Sequence, residues 1–363
     1  MTTVPDPPPY QDDSRTLAAL ESLDRISLAA IHAELTGSRA LDDQPADLDT
    51  VCARLRVQDR HRWLVRRWLT ALTSRRLAHH TPDGHWTRTD TTPPLEDLGA
   101  LPTVYAAAGF DQRMAGFHQN VLSRLGPLLR GEEDVQRHFF GEGEVVSALR
   151  SYQDGTVSRH LNTLAGRTLS RLPADGPPHV VELGAGVGLA TRAALDALGD
   201  RPVSYLVTDV SPLFSEVLRD RFGPRLAGYT HLDINRPRPA TVPAGHADVV
   251  LAGNVLHNAV DLPRSLALVG ELLRPGGSLL FTESDRERPA ILTSLMFLLS
   301  SPPGAPRAGS RDRRAPADRT FLTVDEWREE LHDAGLTPLR VTPSPGDRYA
   351  GCGQILVHAR KEP

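Results

Sequence analysis

The spacing of hydrophobic residues divides the chain at about residue 170. In residues 15–170 the apolar positions recur with a period near 3.6, as in the segment TLAALESLDRISLAAIHAEL, and this period predicts amphipathic helices. From His179 the pattern changes to short apolar runs, such as HVVELG and ADVVLAGNVLH, that alternate with amphipathic segments. Repeated strand–helix units predict a parallel sheet with helices on both faces.

These patterns predict two domains and two irregular segments. Residues 1–14 are rich in proline and acids and are predicted to be a disordered tail. A mostly helical domain is predicted over residues 15–170, with linker helices and a role in dimerisation or in covering the acceptor. An α/β domain is predicted over residues 171–363, and its segment 300–319, rich in Pro, Gly and Arg, is predicted to be a mobile loop.

One part of the helical region has a winged-helix-like pattern. The stretch RHRWLVRRWLTALTSRRLAHHTPDGHWTRTD predicts a helix, a turn at Pro82-Asp83-Gly84 and a short strand. Its inward positions are predicted to be Trp63, Leu64, Trp68, Leu69 and Leu72. The arginines on this element suggest DNA binding, but they also suit the solvated face of a packing or dimerisation domain, which the acidic balance of the chain favours; they are Arg62, Arg66, Arg67, Arg75 and Arg76.

Composition excludes several classes of protein. The net charge of −4 and a pI near 6.4 argue against bulk attraction to nucleic acid or anionic lipid. The two cysteines, Cys52 and Cys352, form no CxxC pair, which argues against a disulfide framework or a zinc cluster and favours a reducing compartment. With no signal peptide and no apolar stretch of about 20 residues, we expect a cytoplasmic protein. No other metal-binding constellation is evident.

A glycine loop, VVELGAGVGLA, carries the first chemical signal. Gly184, Gly186 and Gly188 follow a predicted strand and open a helix, where backbone can approach a ligand closely. Their G-x-G-x-G spacing differs from the G-x-G-x-x-G of the dinucleotide fingerprint. Glu182 precedes the loop, and its carboxylate would repel a pyrophosphate but suit a cationic amino-acid ligand. The loop therefore favours a positively charged nucleoside over a dinucleotide.

Two acids follow the next two predicted strands. Asp209 ends the second strand, where an acid can accept hydrogen bonds from both ribose hydroxyls. Its alternative role is a helix N-cap, for which Ser211 competes. Asp233 ends the third strand and can accept from an adenine amino group, although it also suits a turn. The two acids complete a predicted nucleoside site.

The ordered motifs resemble class I S-adenosylmethionine-dependent methyltransferases. VVELGAGVG, TDVSP, LDIN, ADVVLAGNVLHN and LLRPGGSLLFTE together resemble the C-methyltransferase domains of polyketide and nonribosomal peptide synthases, and the upstream stretch LLRGEEDVQRHFFGEGEVVSALRSYQDGTVSRHLNTLAGR resembles their linker. The resemblance covers roughly residues 125–285. It implies an α/β fold with a Rossmann-like seven-stranded sheet and an S-adenosylmethionine cofactor, held by the glycine loop, the acids named above and a further set of residues: Ile234, Asn254, Tyr152, Arg159 and Asn162. For Tyr152, Arg159 and Asn162 a packing or surface role is an equal alternative.

The strand ends after the cofactor motifs carry the candidate catalytic pair. His257 follows the fourth strand and Glu283 ends the fifth, so both could reach one cleft at the carboxyl edge of the sheet. A carboxylate bonded to imidazole orients the ring and stabilises its protonated form. The resemblance implies that His257 is a general base for a carbon acid and that Glu283 orients it. The alternatives are a surface His that caps a helix and a solvent-exposed strand-end Glu.

The leading hypothesis is a stand-alone C-methyltransferase of specialised metabolism, acting on a small-molecule or carrier-bound acyl acceptor. The sequence carries no other synthase domain, so the acceptor is expected to be met in trans or as a free molecule. O- or N-methylation with His257 as base, a non-methylating use of the cofactor, and a non-catalytic or DNA-binding protein with this fold are the alternatives. No nucleic-acid or membrane partner is predicted, and a homodimer is plausible from the helical region.

Overall fold

The computed structural model of the protein describes residues 13–94, 97–140 and 145–362. Most of the predicted tail lies outside these residues. Asp13 and Ser14, which the prediction includes in that tail, already belong to the first helix. Among the described residues, no helix combines the length and the apolar character that crossing a membrane requires.

Helices α1 to α9 precede the large sheet, in agreement with the helical period of this region. Asp47 caps α2 by accepting from the Thr50 amide, and Asp111 caps α5 by accepting from the Arg113 amide. The bounds are α1 (Asp13–Gly37), α2 (Leu48–Leu55), α3 (Arg62–Ser74), α4 (Leu101–Ala107), α5 (Gln112–Leu122), α6 (Leu125–Leu129), α7 (Val135–Phe140), α8 (Val145–Gln153) and α9 (Thr156–Arg171).

The winged-helix-like pattern forms as expected, but its arginines contact this chain. Helix α3 is followed by an antiparallel pair of strands, β1 (Ala78–His80) and β2 (Trp86–Arg88), and the five predicted inward side chains of α3 are buried. Arg62 pairs with Asp49, Arg66 with Asp318, and Arg67 with Glu287. Since three of the five arginines bond to acids of the same chain, the geometry favours a packing element over a DNA-binding face.

The remaining strands form one seven-stranded sheet, and the predicted α/β fold class is confirmed. Its order is β5-β4-β3-β6-β7-β9-β8, with β3 to β7 parallel and β9 antiparallel to both β7 and β8. The bounds are β3 (His179–Leu183), β4 (Ser204–Asp209), β5 (Gly228–His231), β6 (Ala247–Gly253), β7 (Leu273–Ser284), β8 (Leu336–Thr342) and β9 (Gln354–Lys361), with α10 (Leu189–Leu198), α11 (Leu213–Phe222), α12 (Leu262–Leu272), α13 (Pro289–Leu292) and α14 (Val324–Asp333).

The strand order creates a crevice at the carboxyl ends of the central strands. Strands β3 and β6 are neighbours in the sheet. From β3 the chain crosses to β4 on one side, and from β6 it crosses to β7 on the other side, so the two connections lead in opposite directions. Ligands of open α/β sheets bind at such a switch point. The glycine loop, Asp209 and the turn that carries His257 all follow strands at this edge.

The helical part covers the same edge of the sheet. Side chains of α1, α3 and α5 share one hydrophobic core with residues 289–299, which follow β7. Trp68 Nε1 donates to the Leu292 carbonyl at 3.0 Å, and the buried His118 ring contacts Thr293 Oγ1 at 2.9 Å. The N-terminal helices are therefore packed against the segment that continues from the candidate catalytic strand.

Candidate active site

The glycine loop adopts a backbone that non-glycine residues rarely reach. Gly184, Gly186 and Gly188 all have positive φ, at 57°, 52° and 78°. A Cβ on Gly184 would meet Val255 at 2.4 Å, and one on Gly188 would meet Leu218 and Phe222 at 2.7 Å. A Cβ on Gly186 would have no neighbour nearer than 3.9 Å. The backbone at Gly184 and Gly188 is thus packed closely against neighbouring side chains, whereas the backbone at Gly186 faces free space.

Asp209 holds this loop at the end of β4. Its Oδ2 accepts from the Gly186 amide and its Oδ1 from the Ser211 amide, both at 2.9 Å. Burial raises the pKa of Asp209, whereas these backbone hydrogen bonds lower it. Each carboxylate oxygen can accept more than one hydrogen bond, so ribose hydroxyls would still find acceptors here. The free space beside Gly186 and the adjoining carboxylate fit a nucleoside ligand.

Asp233 lies near the same edge in a local turn. Its Oδ1 accepts from the Asn235 amide at 2.9 Å, and the half-buried carboxylate also lies 3.9 Å from Arg236. This geometry is that of a turn Asp, the alternative that the sequence left open, and it leaves the second oxygen for another donor. Ile234 is buried in the core, and its carbonyl accepts from Ser265 Oγ at 2.9 Å.

Glu182 requires a correction, because its carboxylate lies in the core and not on the ligand side of the loop. Thr191 Oγ1 and Tyr205 Oη both donate to its Oε2 at 2.7 Å. Burial raises the pKa of Glu182 to about 7, and the two hydroxyl donors only partly oppose this. Glu182 therefore ties β3 to α10 and β4 beneath the loop.

This burial predicts a pH-dependent stability. The folded state binds the Glu182 proton more tightly than the unfolded state, so a penalty grows above about pH 4.5 and is complete above about pH 7. We expect Glu182→Gln to raise the free energy of unfolding at about pH 8 by up to about 3 kcal/mol, and by much less at about pH 5. Urea unfolding of both proteins at the two pH values measures this. An equal change at both would contradict it.

His257 and Glu283 meet as the sequence predicted. His257 lies in a short 3₁₀ turn, Leu256–Asn258, after β6, and Glu283 lies on β7. The His257 Nδ1 is 2.8 Å from Glu283 Oε2, and the His257 amide donates to Glu283 Oε1 at 3.0 Å. The carboxylate is 1% exposed. One buried carboxylate thus holds both the main chain and the ring of His257.

The ring of His257 borders a mainly apolar cavity of about 290 Å³. Phe321 packs edge-on against the ring, with centroids 5.3 Å apart. Asn254, which has a positive φ of 55°, and Tyr152 line the same cavity. Burial and the negative charge of Glu283 raise the pKa of Tyr152 to about 12, so its hydroxyl stays protonated. Apolar walls are supplied by N-terminal and post-β7 side chains, including Leu20, Leu23, Tyr105, Phe110, Met114, Leu149, Ile291 and Leu295.

Arg159 and Asn162 lie outside the cavity that contains His257, and their predicted cofactor role stays a prediction. Both line a surface groove between α9 and α10, apart from the cavity that contains His257. Arg159 donates to the Asp154 side chain at 3.1 Å and to the Gly109 carbonyl at 3.1 Å. These contacts tie the start of α9 to the loop after α4, which is the packing role that the sequence left open.

Comparison with known families identifies the domain built around this edge. Residues 181–279, from β3 into β7, match the family described as "Methyltransferase domain". The chain contains a methyltransferase domain. It is therefore an enzyme of the methyl-transferring class, as its ordered motifs predicted.

Relatives of this methyltransferase occur within large synthases. The pyochelin synthetase PchF of Pseudomonas aeruginosa is 27% identical over 357 residues, which cover 94% of this chain and 19% of the synthetase. The chain thus spans about a fifth of the length of that relative.

Solved structures share the fold over nearly the whole methyltransferase chain. The CurJ carbon methyltransferase has a TM-score of 0.81 at 23% identity, covering 97% of this chain and 94% of its own. The CMeT domain of the citrinin polyketide synthase has a TM-score of 0.76 at 21% identity, covering 95% and 90%. The resemblance to synthase methyltransferase domains is confirmed for the fold, including the helical N-terminal region.

Sequence reasoning missed the residues that the N-terminal helices bring to His257. Tyr105 on α4 and Met114 on α5 occupy ordinary core positions of their helices, and Phe110 lies between the two helices, so no local signal marks them as cavity walls. Gln354 and Ser158 also line the cavity, and Ser158 Oγ donates to Gln354 Oε1 at 3.2 Å. They lie 196 residues apart, and only the folded chain shows that they meet.

Proposed function

We propose that this methyltransferase uses S-adenosylmethionine to methylate carbon, at the α position of a β-ketoacyl substrate. The observation that carries the proposal is the His257–Glu283 pair at the wall of an apolar cavity. Methylation of an enolisable carbon needs a base for one proton, and the cavity suits the acyl chain attached to that carbon.

The hydrogen bonds of the pair indicate which ring nitrogen acts. An ionised Glu283 can only accept, and it already accepts from the His257 amide through its other oxygen. Nδ1 therefore carries a proton, and Nε2 keeps the lone pair of the neutral ring. When Nε2 takes a proton, the buried carboxylate stabilises the resulting imidazolium.

The reaction then balances as one proton transfer and one displacement. Gly186 and Asp209 would hold S-adenosylmethionine, which would supply a methyl group activated by its sulfonium. His257 Nε2 removes the α proton, and the electron pair left on carbon forms the new carbon–carbon bond as the carbon–sulfur bond breaks. The imidazolium then loses its proton to solvent. The protonated Tyr152 hydroxyl at the same cavity supplies a donor for the enolate oxygen.

The apolar cavity and the arginines of α3 bear on the acceptor and the partners. We propose a thioester of an acyl chain, presented by a carrier protein or as a free small molecule, because the cavity walls are apolar and relatives are parts of synthases. We propose no nucleic-acid partner, since Arg66 and Arg67 bond to Asp318 and Glu287. Homodimerisation and a cytoplasmic location stay predictions.

The test is the position of the methyl group on a synthetic acceptor. We expect incubation with a 3-oxoacyl-N-acetylcysteamine thioester and S-adenosylmethionine to give a 2-methyl-3-oxoacyl product, identified by mass spectrometry and NMR. His257→Ala should abolish product formation while calorimetry still detects cofactor binding. Full activity in this variant would overturn the role of the base.

O-methylation is the second candidate, because the same base can deprotonate a hydroxyl. An enol ether from the same thioester, or a product only with hydroxylated acceptors, would favour it over carbon methylation. The NMR chemical shift of the transferred methyl group, on carbon or on oxygen, distinguishes the two.

A further inference from the structure

A buried ion pair lies within the segment that the sequence predicted as a mobile loop. Arg314 and Asp312 have side chains that are 0% and 1% exposed. The guanidinium contacts the carboxylate twice, Nε to Oδ1 at 2.9 Å and one terminal nitrogen to Oδ2 at 2.6 Å. Because buried charges are costly unless paired and bonded, such a pair indicates a defined arrangement of residues 312–314.

The other donors of Arg314 reach the turn that carries His257. One terminal nitrogen donates to the His257 carbonyl and to the Thr320 carbonyl, both at 2.9 Å. The other donates to the Ala259 carbonyl at 2.6 Å. Together with the two contacts to Asp312, these bonds use all five N–H donors of the guanidinium.

Neighbouring atoms of the segment bond to the residues that directly follow this turn. Asp312 Oδ2 accepts from the Leu262 amide at 3.0 Å, where α12 begins. The Gly309 amide donates to the Ala259 carbonyl at 2.8 Å, and the Arg311 amide to the Val260 carbonyl at 3.0 Å. The His257 turn is therefore bonded to Glu283 on one side and to residues 309–314 on the other.

We propose that Arg314, supported by Asp312, is a positioning residue for the base His257. By fixing the His257 carbonyl, it sets the main chain from which the ring reaches Glu283. Lysine cannot replace it, because a single ammonium has three donors and lacks the planar fork that reaches three carbonyls and a carboxylate at once. This inference rests on the proposed function, in which His257 is the base.

The experiment compares two arginines of one segment. Arg307 is also largely buried, but it donates to the Ala308 carbonyl and to Asp318 and packs over Trp63, away from the His257 turn. We expect Arg314→Lys to lower kcat about 10²-fold, as a displacement of about 1 Å can, with KM and the cofactor dissociation constant nearly unchanged. Arg307→Lys should keep the kcat of the unchanged protein.

A spectroscopic readout separates positioning from general stability. In protein labelled with ¹⁵N-histidine, the ring N–H of His257 is assigned by its loss in His257→Ala. We expect this signal to shift or broaden in Arg314→Lys and to stay in place in Arg307→Lys. A folded Arg314→Lys protein with unchanged kcat and an unchanged His257 signal would overturn the inference.

A second variant covers the case in which Arg314→Lys does not fold. Replacing both members, Asp312→Leu with Arg314→Met, removes the buried charges together, which is often tolerated by the fold. We expect the same loss of kcat and the same change of the His257 signal, and their absence would overturn the inference. If His257→Ala itself were fully active, the proposed function would fail, and the His257 signal would still decide the positioning role.

Discussion

Replacing Glu283 with glutamine will lower kcat about 10⁴-fold, the size of effect expected when a catalytic histidine is held in the wrong tautomer. The expectation follows from two contacts to one carboxylate. The His257 amide donates to Oε1, so the glutamine carbonyl oxygen must take that position. The glutamine amide nitrogen then faces His257 Nδ1, which lies 2.8 Å from Oε2.

An amide nitrogen at that position can only donate. Nδ1 must then accept, which transfers the ring proton to Nε2 and removes the lone pair that takes the substrate proton. Since the glutamine side chain matches glutamate in shape and is equally buried, we expect little change in melting temperature or in cofactor affinity. Steady-state kinetics with the thioester acceptor and calorimetry with S-adenosylmethionine measure these quantities.

Two comparisons make this result specific. Asp285 lies just after the same strand, and its carboxylate pairs with the exposed Arg286. The variant Asp285→Asn should keep the kcat of the unchanged protein. In the proposed mechanism His257 and Glu283 act as a unit, so the double variant with His257→Ala should be no slower than His257→Ala alone. A Glu283→Gln protein within tenfold of full activity would show that the pair is not the base.

Replacing Gly186 with asparagine will weaken cofactor binding by about 3 kcal/mol, or about a hundredfold. Asparagine tolerates the left-handed backbone better than other side chains, and no atom but the Gly184 carbonyl oxygen lies within 4 Å of the new Cβ. The fold should therefore persist while the side chain fills the space proposed for the nucleoside. Calorimetry with S-adenosylmethionine measures the affinity, and thermal unfolding without ligand measures the stability.

Gly184→Ala is the matched comparison on the same loop. Its Cβ would lie 2.4 Å from Val255 Cγ2, and its φ of 57° adds the cost of a left-handed alanine. We expect this variant to lose stability before it shows a specific binding defect. If Gly186→Asn bound the cofactor normally, the nucleoside would not lie beside Gly186.

Local patterns predicted the fold and the contact between His257 and Glu283 correctly, because those features depend on short stretches of chain. Alternating strands and amphipathic helices favour a parallel sheet, and the carboxyl ends of its parallel strands lie at one edge. His257 and Glu283 follow strands that are neighbours in the sheet, so their meeting was implied by order alone. The glycine spacing likewise marked the loop without tertiary information.

Residue order alone did not decide the roles of residues that depend on which way a side chain points. Glu182 precedes the glycines and was assigned to the ligand, but successive strand residues face opposite sides of a sheet, and its carboxylate meets Thr191 and Tyr205 in the core. Arg159 and Asn162 were expected at the cofactor from the resemblance alone, and the groove that they line is apart from His257.

The sequence by itself therefore determined the sheet, the position of the glycine loop and the contact between His257 and Glu283, since each rests on residue order within a few turns or strands. Only the tertiary structure decided what surrounds them. Part of the cavity wall comes from N-terminal helices more than a hundred residues away, and Arg314 reaches the His257 carbonyl across 57 positions of sequence. Such contacts depend on how whole elements pack, which no local hydrophobic period encodes.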